Sequence, residues 1–141
     1  MEKKLPIIIQ TIIYKIRDAE PEFLLLKRSE DRGDFWNTVN GTMEMDENVS
    51  QCREREIAEE TGIKKLSNWS QELYRFNFNY KGDTMTVIVF SAQVDPSQEV
   101  VINDEHTEYG WFKFDKAIET LKFDDDKKAL EVCNNMIKAN Q

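Results

Sequence analysis

A single histidine, His106, and two cysteines, Cys52 and Cys133, leave little room for imidazole or thiolate chemistry. The cysteines stand in no metal-ligand spacing, and no Ser–His–Asp or Cys–His relay can be argued from so few groups. Two distant thiols offer no disulfide framework either, so they read as buried thiols of a reducing compartment. Basic charge is scarce: 19 Lys and Arg stand against 27 Asp and Glu, a net charge of −8. A nucleic-acid surface needs a basic footprint, so nucleic acid is excluded as a partner. Three prolines and five glycines are too few for a linker, and no repeat or low-complexity run is present. Long apolar runs are missing too. Ile7–Ile13 is short, contains Gln10, and continues into Tyr14-Lys15-Ile16-Arg17 without a small-residue cleavage site. It reads as a β-branched core strand, neither a signal peptide nor a membrane span. The expected location is the cytoplasm, away from any membrane.

What remains suits an ordinary domain. The 141 residues are 40% hydrophobic and 11% aromatic, enough for one domain over 1–141 that buries roughly two-thirds of its unfolded surface. Strands are predicted over 7–16, 22–28, 73–80, 84–94 and 109–114, with a short one possible at 100–102. Phe23-Leu24-Leu25-Leu26 lacks alternation and should be buried on both faces. Residues 29–34 read as a loop, and 35–40 as the approach to a helix over 48–61. Asn48 or Ser50 can cap that helix, and Gly62 suits its end. Lys81-Gly82-Asp83 is a hairpin turn. A short helix over 115–121 precedes a last one to about Ala139, capped by Asp124. Periodicity alone gives an α/β domain with a mixed sheet.

The helix over 48–61 carries the chemistry. At 100° per residue, Glu56, Glu59 and Glu60 share an arc of roughly 100°. Like charges at i,i+4 cost a few tenths of a kcal/mol, which the Arg55–Glu59 pairing returns only in part. A hard divalent cation would remove that cost, because it prefers oxygen ligands. A Glu-rich helix is ordinarily a solvated face. The spacing argues otherwise: Gly41, five residues, Glu47, seven residues, Arg55-Glu56-Ile57, one residue, Glu59-Glu60, one residue, Gly62-Ile63. This pattern resembles the Nudix box at each of its defined positions.

The resemblance implies a Nudix α/β/α sandwich and hydrolysis of a phosphoanhydride with Mg²⁺ or Mn²⁺. It implies metal binding by Glu56, Glu59 and Glu60, and by a backbone carbonyl of Asn40 or Gly41. Arg55 would orient its carboxylate neighbours, and Glu47 would support the metal shell or the loop. Glu105-His106, with Tyr109 and Trp111 following, resembles a segment after the box whose Glu contacts metal or serves as base. Glu105 is thus the fourth carboxylate, Glu108 the competing choice, and Glu59 or Glu105 the base; His106 reads as a structural hydrogen-bonder.

Trp36, Val39 and Gly41 are spaced as in nucleoside-triphosphate and dihydroneopterin-triphosphate pyrophosphohydrolases of the family. Phe35, Trp36 and Tyr80 are candidate stacking residues, and Lys27, Arg28, Arg32 and Lys81 candidate phosphate contacts. The expected reaction turns a nucleoside or pterin triphosphate into a monophosphate and pyrophosphate. The stretch 86–90 and the tail 123–130 are also similar to asymmetric dinucleoside-tetraphosphate hydrolases, the alternative. A nucleotide-sensing Nudix module is the non-enzymatic rival. The expected partner is a small polyphosphate molecule, bound by a monomer or homodimer.

Overall fold

A computed structural model describes residues 3–141; Met1 and Glu2, at the start of the expected domain, lie outside the described residues. The elements are β1 (Lys4–Arg17), β2 (Glu20–Arg28), a 3₁₀ turn (Glu30–Arg32), β3 (Trp36–Asn37), β4 (Val39–Glu44), α1 (Val49–Thr61), β5 (Tyr74–Tyr80), β6 (Asp83–Gln93), β7 (His106–Lys113), α2 (Phe114–Thr120) and α3 (Asp124–Ala139).

The β-branched run of β1 is the spine of the sheet. Its middle pairs parallel with β6, Ile8 opposite Val87, and β5 closes that edge antiparallel to β6. On its other side β1 pairs with β2 only over Tyr14–Arg17, opposite Glu20–Phe23. The two strands then splay, and residues 36–44 enter the gap as a wedge. β3 pairs with β2 and β4 with β1, Ile9 opposite Gly41. β7 lines the far edge of β2.

Strand alternation divides the core in two. On one face Ile13, Leu24, Leu26 and Val39 pack with Ile57 of α1, beside a smaller group of Ile9, Met43 and Cys52. On the other, Ile12, Phe23, Leu25, Val87 and Val89 meet Ala117 and Leu121 beyond α2, and Leu130, Cys133 and Ile137 of α3. Each fully buried aliphatic or aromatic side chain contributes about 1.5–3 kcal/mol. The result is the expected α/β/α sandwich on a mixed sheet, with Leu24–Leu26 buried on both faces. Both cysteines are free, and burial pushes each thiol up to about 12, which rules them out as nucleophiles at neutral pH. Among the described residues, no helix is long and apolar enough to cross a membrane.

Three local expectations need correction. The approach expected over 35–40 is instead largely strand, Trp36–Asn37 in β3 and Val39 and Asn40 opening β4, because its partners come from β1 and β2 rather than from a neighbouring hairpin. Residues 100–102 form no strand: the Val101 amide donates to the Thr61 carbonyl at 2.9 Å, tying this segment to the end of α1. Asp124 does not cap α3. It is the first helical residue, and Phe123 precedes it without a side-chain cap. Three acidic residues in that first turn instead complement the positive end of the helix.

Candidate active site

α1 begins at a capping box in which Asn48 Oδ1 accepts from the Gln51 amide at 2.8 Å, and Gln51 Oε1 accepts from the Asn48 amide at 3.0 Å. It ends at Gly62 in a left-handed turn, φ 73°. Between these stops the helix lies across β4, and Gly41 decides how closely. A Cβ on Gly41 would fall on the Glu56 carboxylate. The absent side chain therefore leaves the pocket for this acid.

Arg55 fixes the carboxylates around it. Its Nε and Nη2 donate to the two oxygens of Glu47 at 2.5 and 2.8 Å, a bidentate fork. Nη1 donates to Glu56 at 2.7 Å and more loosely to Glu59 at 3.4 Å, and Nη2 reaches the Thr42 carbonyl at 3.3 Å. Glu44 stands 3.9 Å from Nε. The guanidinium holds the Glu47 carboxyl down to about 2, and the Glu47 carboxylate in turn raises Arg55. Glu47 also accepts from the Glu44 amide at 2.9 Å, which closes the turn before the helix.

Glu60 is in the opposite condition. It is 3% exposed, and burial, reinforced by the neighbouring Glu56 and Glu105 carboxyls, raises its pKa far above the carboxylate range. A buried acid facing two others needs a proton or a cation. Glu59, on the same helix, is exposed.

The loop before β7 adds the remaining groups. Ligand atoms of Glu60, Glu105 and His106 all lie within 4.8 Å of one another. Burial, then the nearby Arg28, pushes His106 down, so its ring is neutral at physiological pH. Arg32 Nη1 is 3.5 Å from Glu105, and Arg28 Nε donates to the Arg32 carbonyl at 2.9 Å. The Arg28 guanidinium lies 5.5 Å from the Phe35 ring, which meets Phe123 edge-on at 5.2 Å. Acid cluster, arginines and aromatic pair are thus continuous.

Other candidates are placed elsewhere. Trp36 turns into the core, edge-to-face with Phe112 at 5.4 Å, so the outward aromatic of the pair is Phe35. Lys27 points away from Arg28 by strand alternation and sits 3.7 Å from both Asp34 and Glu108. That leaves Glu108 outside the cluster that Glu105 joins. Tyr80 and Lys81, 5.1 Å apart, form the tip of the β5–β6 hairpin. With β6 and β1 between them and β4, they are about 14 Å from the wedge by strand spacing. The Asn40 amide group donates to the Thr38 carbonyl at 3.2 Å, and the Gly41 carbonyl faces the Cys52 thiol at 3.9 Å.

Sequence reasoning misses Gln10, Thr38 and Asp126. Gln10 Nε2 donates to Thr38 Oγ1 at 2.8 Å and to Asp126 Oδ1 at 3.2 Å, all three buried on the α3 face. The glutamine that interrupts an isoleucine run is the one available signal. Burial lifts Asp126 from 3.8 to about 6. Its stabilising share is therefore complete below about pH 4 and is lost as pH rises through about 6, a difference of about 3 kcal/mol. Asp126→Asn should be more stable than the parent above pH 6 by up to that amount, with the gain vanishing near pH 4. Urea unfolding across this range checks it, and a pH-independent difference would count against the assignment.

The pattern of Gly41, Arg55-Glu56 and Glu59-Glu60 closing over a wedge strand has a family counterpart. The NUDIX domain family model matches residues 8–133. The chain belongs to the Nudix family. The asymmetrical bis(5'-nucleosyl)-tetraphosphatase of Rattus norvegicus is 32% identical over 123 residues, covering 85% of this chain and 83% of that one. An octanoyltransferase of Myxococcus xanthus is 30% identical over 82% of this chain, which spans only 33% of that longer protein. Among solved structures, a C. elegans Ap4A hydrolase binary complex superposes with a TM-score of 0.86 at 22% identity, covering 94% of this chain and 98% of that one. The E. coli dihydroneopterin triphosphate pyrophosphohydrolase follows at 0.80 and 25%, covering 96% and 99%. This Nudix hydrolase offers oxygen donors that suit a divalent cation, the buried Glu60 and the half-buried Glu105, with the His106 ring beside them.

Proposed function

We propose that this Nudix hydrolase is a Mg²⁺- or Mn²⁺-dependent pyrophosphohydrolase that opens a nucleoside or pterin triphosphate between its α and β phosphates. The observation that carries this reading is the continuity of Phe35–Phe123 with Arg28, Arg32 and the Glu60–Glu105 cluster. It offers an edge-to-face aromatic pair, two guanidinium groups and a cation site in sequence, matching base or pterin, phosphate tail and scissile bond.

Glu56, Glu60 and Glu105 would hold the cation, with the exposed Glu59 free to join them. When bound, the cation neutralises phosphate charge and acidifies a water. Arg55 keeps Glu56 and Glu47 in fixed orientations, so the acids do not rearrange during turnover. Glu59 or Glu105 takes the proton from the attacking water, both being accessible where Glu60 is not. Arg28 and Arg32 bind the phosphate oxygens, which also offsets the repulsion expected from a net charge of −8.

The Rattus norvegicus relative favours a second reading, asymmetric hydrolysis of a dinucleoside tetraphosphate into tri- and monophosphates. A panel of nucleoside triphosphates, dihydroneopterin triphosphate and dinucleoside tetraphosphates, with products identified, separates the two. The first reading expects pyrophosphate and a monophosphate. A kcat/KM preference above about 100 for the dinucleoside, roughly 2.7 kcal/mol of transition-state binding, would replace it with the second. Absence of metal-dependent turnover across the panel would sink both. Phe35→Ala should raise KM roughly 5- to 150-fold, the range expected from losing 1–3 kcal/mol of stacking, with kcat little changed. An unaltered KM would move the base elsewhere.

A further inference from the structure

We propose that His106 is a nitrogen ligand of the cation, making a mixed imidazole–carboxylate centre with Glu60 and Glu105. This rests on the reading of the acid cluster as a divalent-metal site and adds to it a ligand of a different element, with consequences for which ion the protein takes.

The orientation of the ring carries the inference. Asn103 Oδ1 accepts from the Glu105 amide at 3.3 Å, which fixes that atom as oxygen, since a backbone N–H requires an acceptor. The same oxygen lies 3.1 Å from His106 Nδ1. Nδ1 must therefore carry the proton, leaving Nε2 with its lone pair. Nε2 is 3.7 Å from Glu60 Oε1, too far for a hydrogen bond, and among the described residues it makes no other. The side chain is 3% exposed, so the ring is held almost wholly within the protein. A metal-binding histidine shows this arrangement: one ring nitrogen donates to an amide oxygen and thereby aims the other at the ion.

The backbone supports the aim. Lys27 pairs with Glu108 but Arg28 pairs with His106, so Thr107 is left without a partner on β2. Such a bulge re-aims the adjacent side chain, and here His106 turns inward while Glu105 remains beside it. Nε2 and the two carboxylates then converge with ligand atoms within 4.8 Å. Nε2 and the carboxylate oxygens present lone pairs to one another, and the buried Glu60 needs either a proton or a cation to stay there. Arg32 reaches only the Glu105 side, at 3.5 Å. An ion that accepts both nitrogen and oxygen satisfies the set. Mg²⁺ favours oxygen alone, whereas Co²⁺ and Zn²⁺ take imidazole readily and Mn²⁺, itself partial to oxygen, accepts one beside carboxylates. The chemical class assigned is thus a divalent transition metal, with Mn²⁺ its most oxygen-preferring member.

Because His106 is the only histidine of the chain, an imidazole signal from untagged protein has one possible source. Pulsed EPR of the full chain loaded with one equivalent of Mn²⁺ should show ¹⁴N coupling of a directly bound imidazole, replaced by ¹⁵N coupling when histidine alone is ¹⁵N-labelled. His106→Gln should abolish the coupling and weaken Mn²⁺ binding about 10- to 100-fold. Tight Mn²⁺ binding by the wild-type chain without nitrogen coupling overturns the proposal and leaves the carboxylate site and the hydrolase reading intact. No Mn²⁺ binding at all overturns the metal reading beneath it as well. Should His106→Gln fail to fold, the labelled wild-type spectrum alone decides between nitrogen ligation and its absence.

Discussion

Glu60→Gln should lower kcat by at least about 10³-fold in saturating Mg²⁺ or Mn²⁺, equivalent to about 4 kcal/mol of transition-state stabilisation. Fold should not suffer. The Glu60 carboxyl is 3% exposed and faces Glu56 and Glu105, so in metal-free protein its replacement by a neutral isostere removes repulsion rather than a stabilising pair. The melting temperature of the apo variant should equal or exceed that of the parent. Divalent cations, which raise the parent's melting temperature by binding only the folded state, should raise the variant's far less. Near-native turnover of Glu60→Gln would mean that the catalytic cation sits elsewhere. A normal cation-induced shift would say the same without any substrate being needed.

Gly41→Ala should be nearly as damaging, although it removes no functional group. A methyl at this position would occupy the space of the Glu56 carboxylate. Glu56 must then leave, breaking its 2.7 Å bond with Arg55, or α1 must lift from β4. Overpacking of this kind costs about 1–3 kcal/mol of stability. Activity should fall with it to roughly the level of Glu56→Gln, because both changes remove the same carboxylate from the same place. Combining Gly41→Ala with Glu56→Gln should therefore give kcat no lower than the worse single variant. Multiplied losses in the double variant would show that Gly41 acts through something other than Glu56.

Much of this site is legible in the residues because it is local. Glu56, Glu59, Glu60, Arg55 and the stops at Asn48 and Gly62 lie on one helix, whose period places them without any tertiary knowledge. What is not legible depends on partners far along the chain. The wedge of β3 and β4 reads as a simple approach to the helix, since Asn37, Asn40, Gly41 and Thr42 lack a strand pattern. Their pairing is dictated by β1 and β2. Trp36 and Phe35 are adjacent in sequence, and nothing in composition says which turns inward. Phe112, some 75 positions later, decides it. Asp126 reads as one acid of a helix start, and only the fold brings it under Gln10 and Thr38. The loop at 103–106 is legible in part: Glu105 stands out by its resemblance, whereas the role of His106 depends on Asn103 and on a bulge that no periodicity announces.

The wedge also sets where this sequence can change in length. Along β4, Val39, Gly41 and Met43 face α1, whereas Thr38 and its Gln10–Asp126 partners belong to the α3 face. Val39, Gly41 and Met43 thus serve the side of the acids, and Thr38 the opposite layer. Inserting or deleting one residue between Thr38 and Met43 would exchange those duties along the remainder of the strand, putting a side chain beneath Glu56. Two-residue changes preserve parity and shift only the register. The connection around Asp95–Gln98, whose turn is closed within itself by the Gln98 amide on the Asp95 carbonyl at 2.9 Å, carries no such parity. Drift in chain length should accordingly accumulate there, while the short run beside the acids keeps a fixed count.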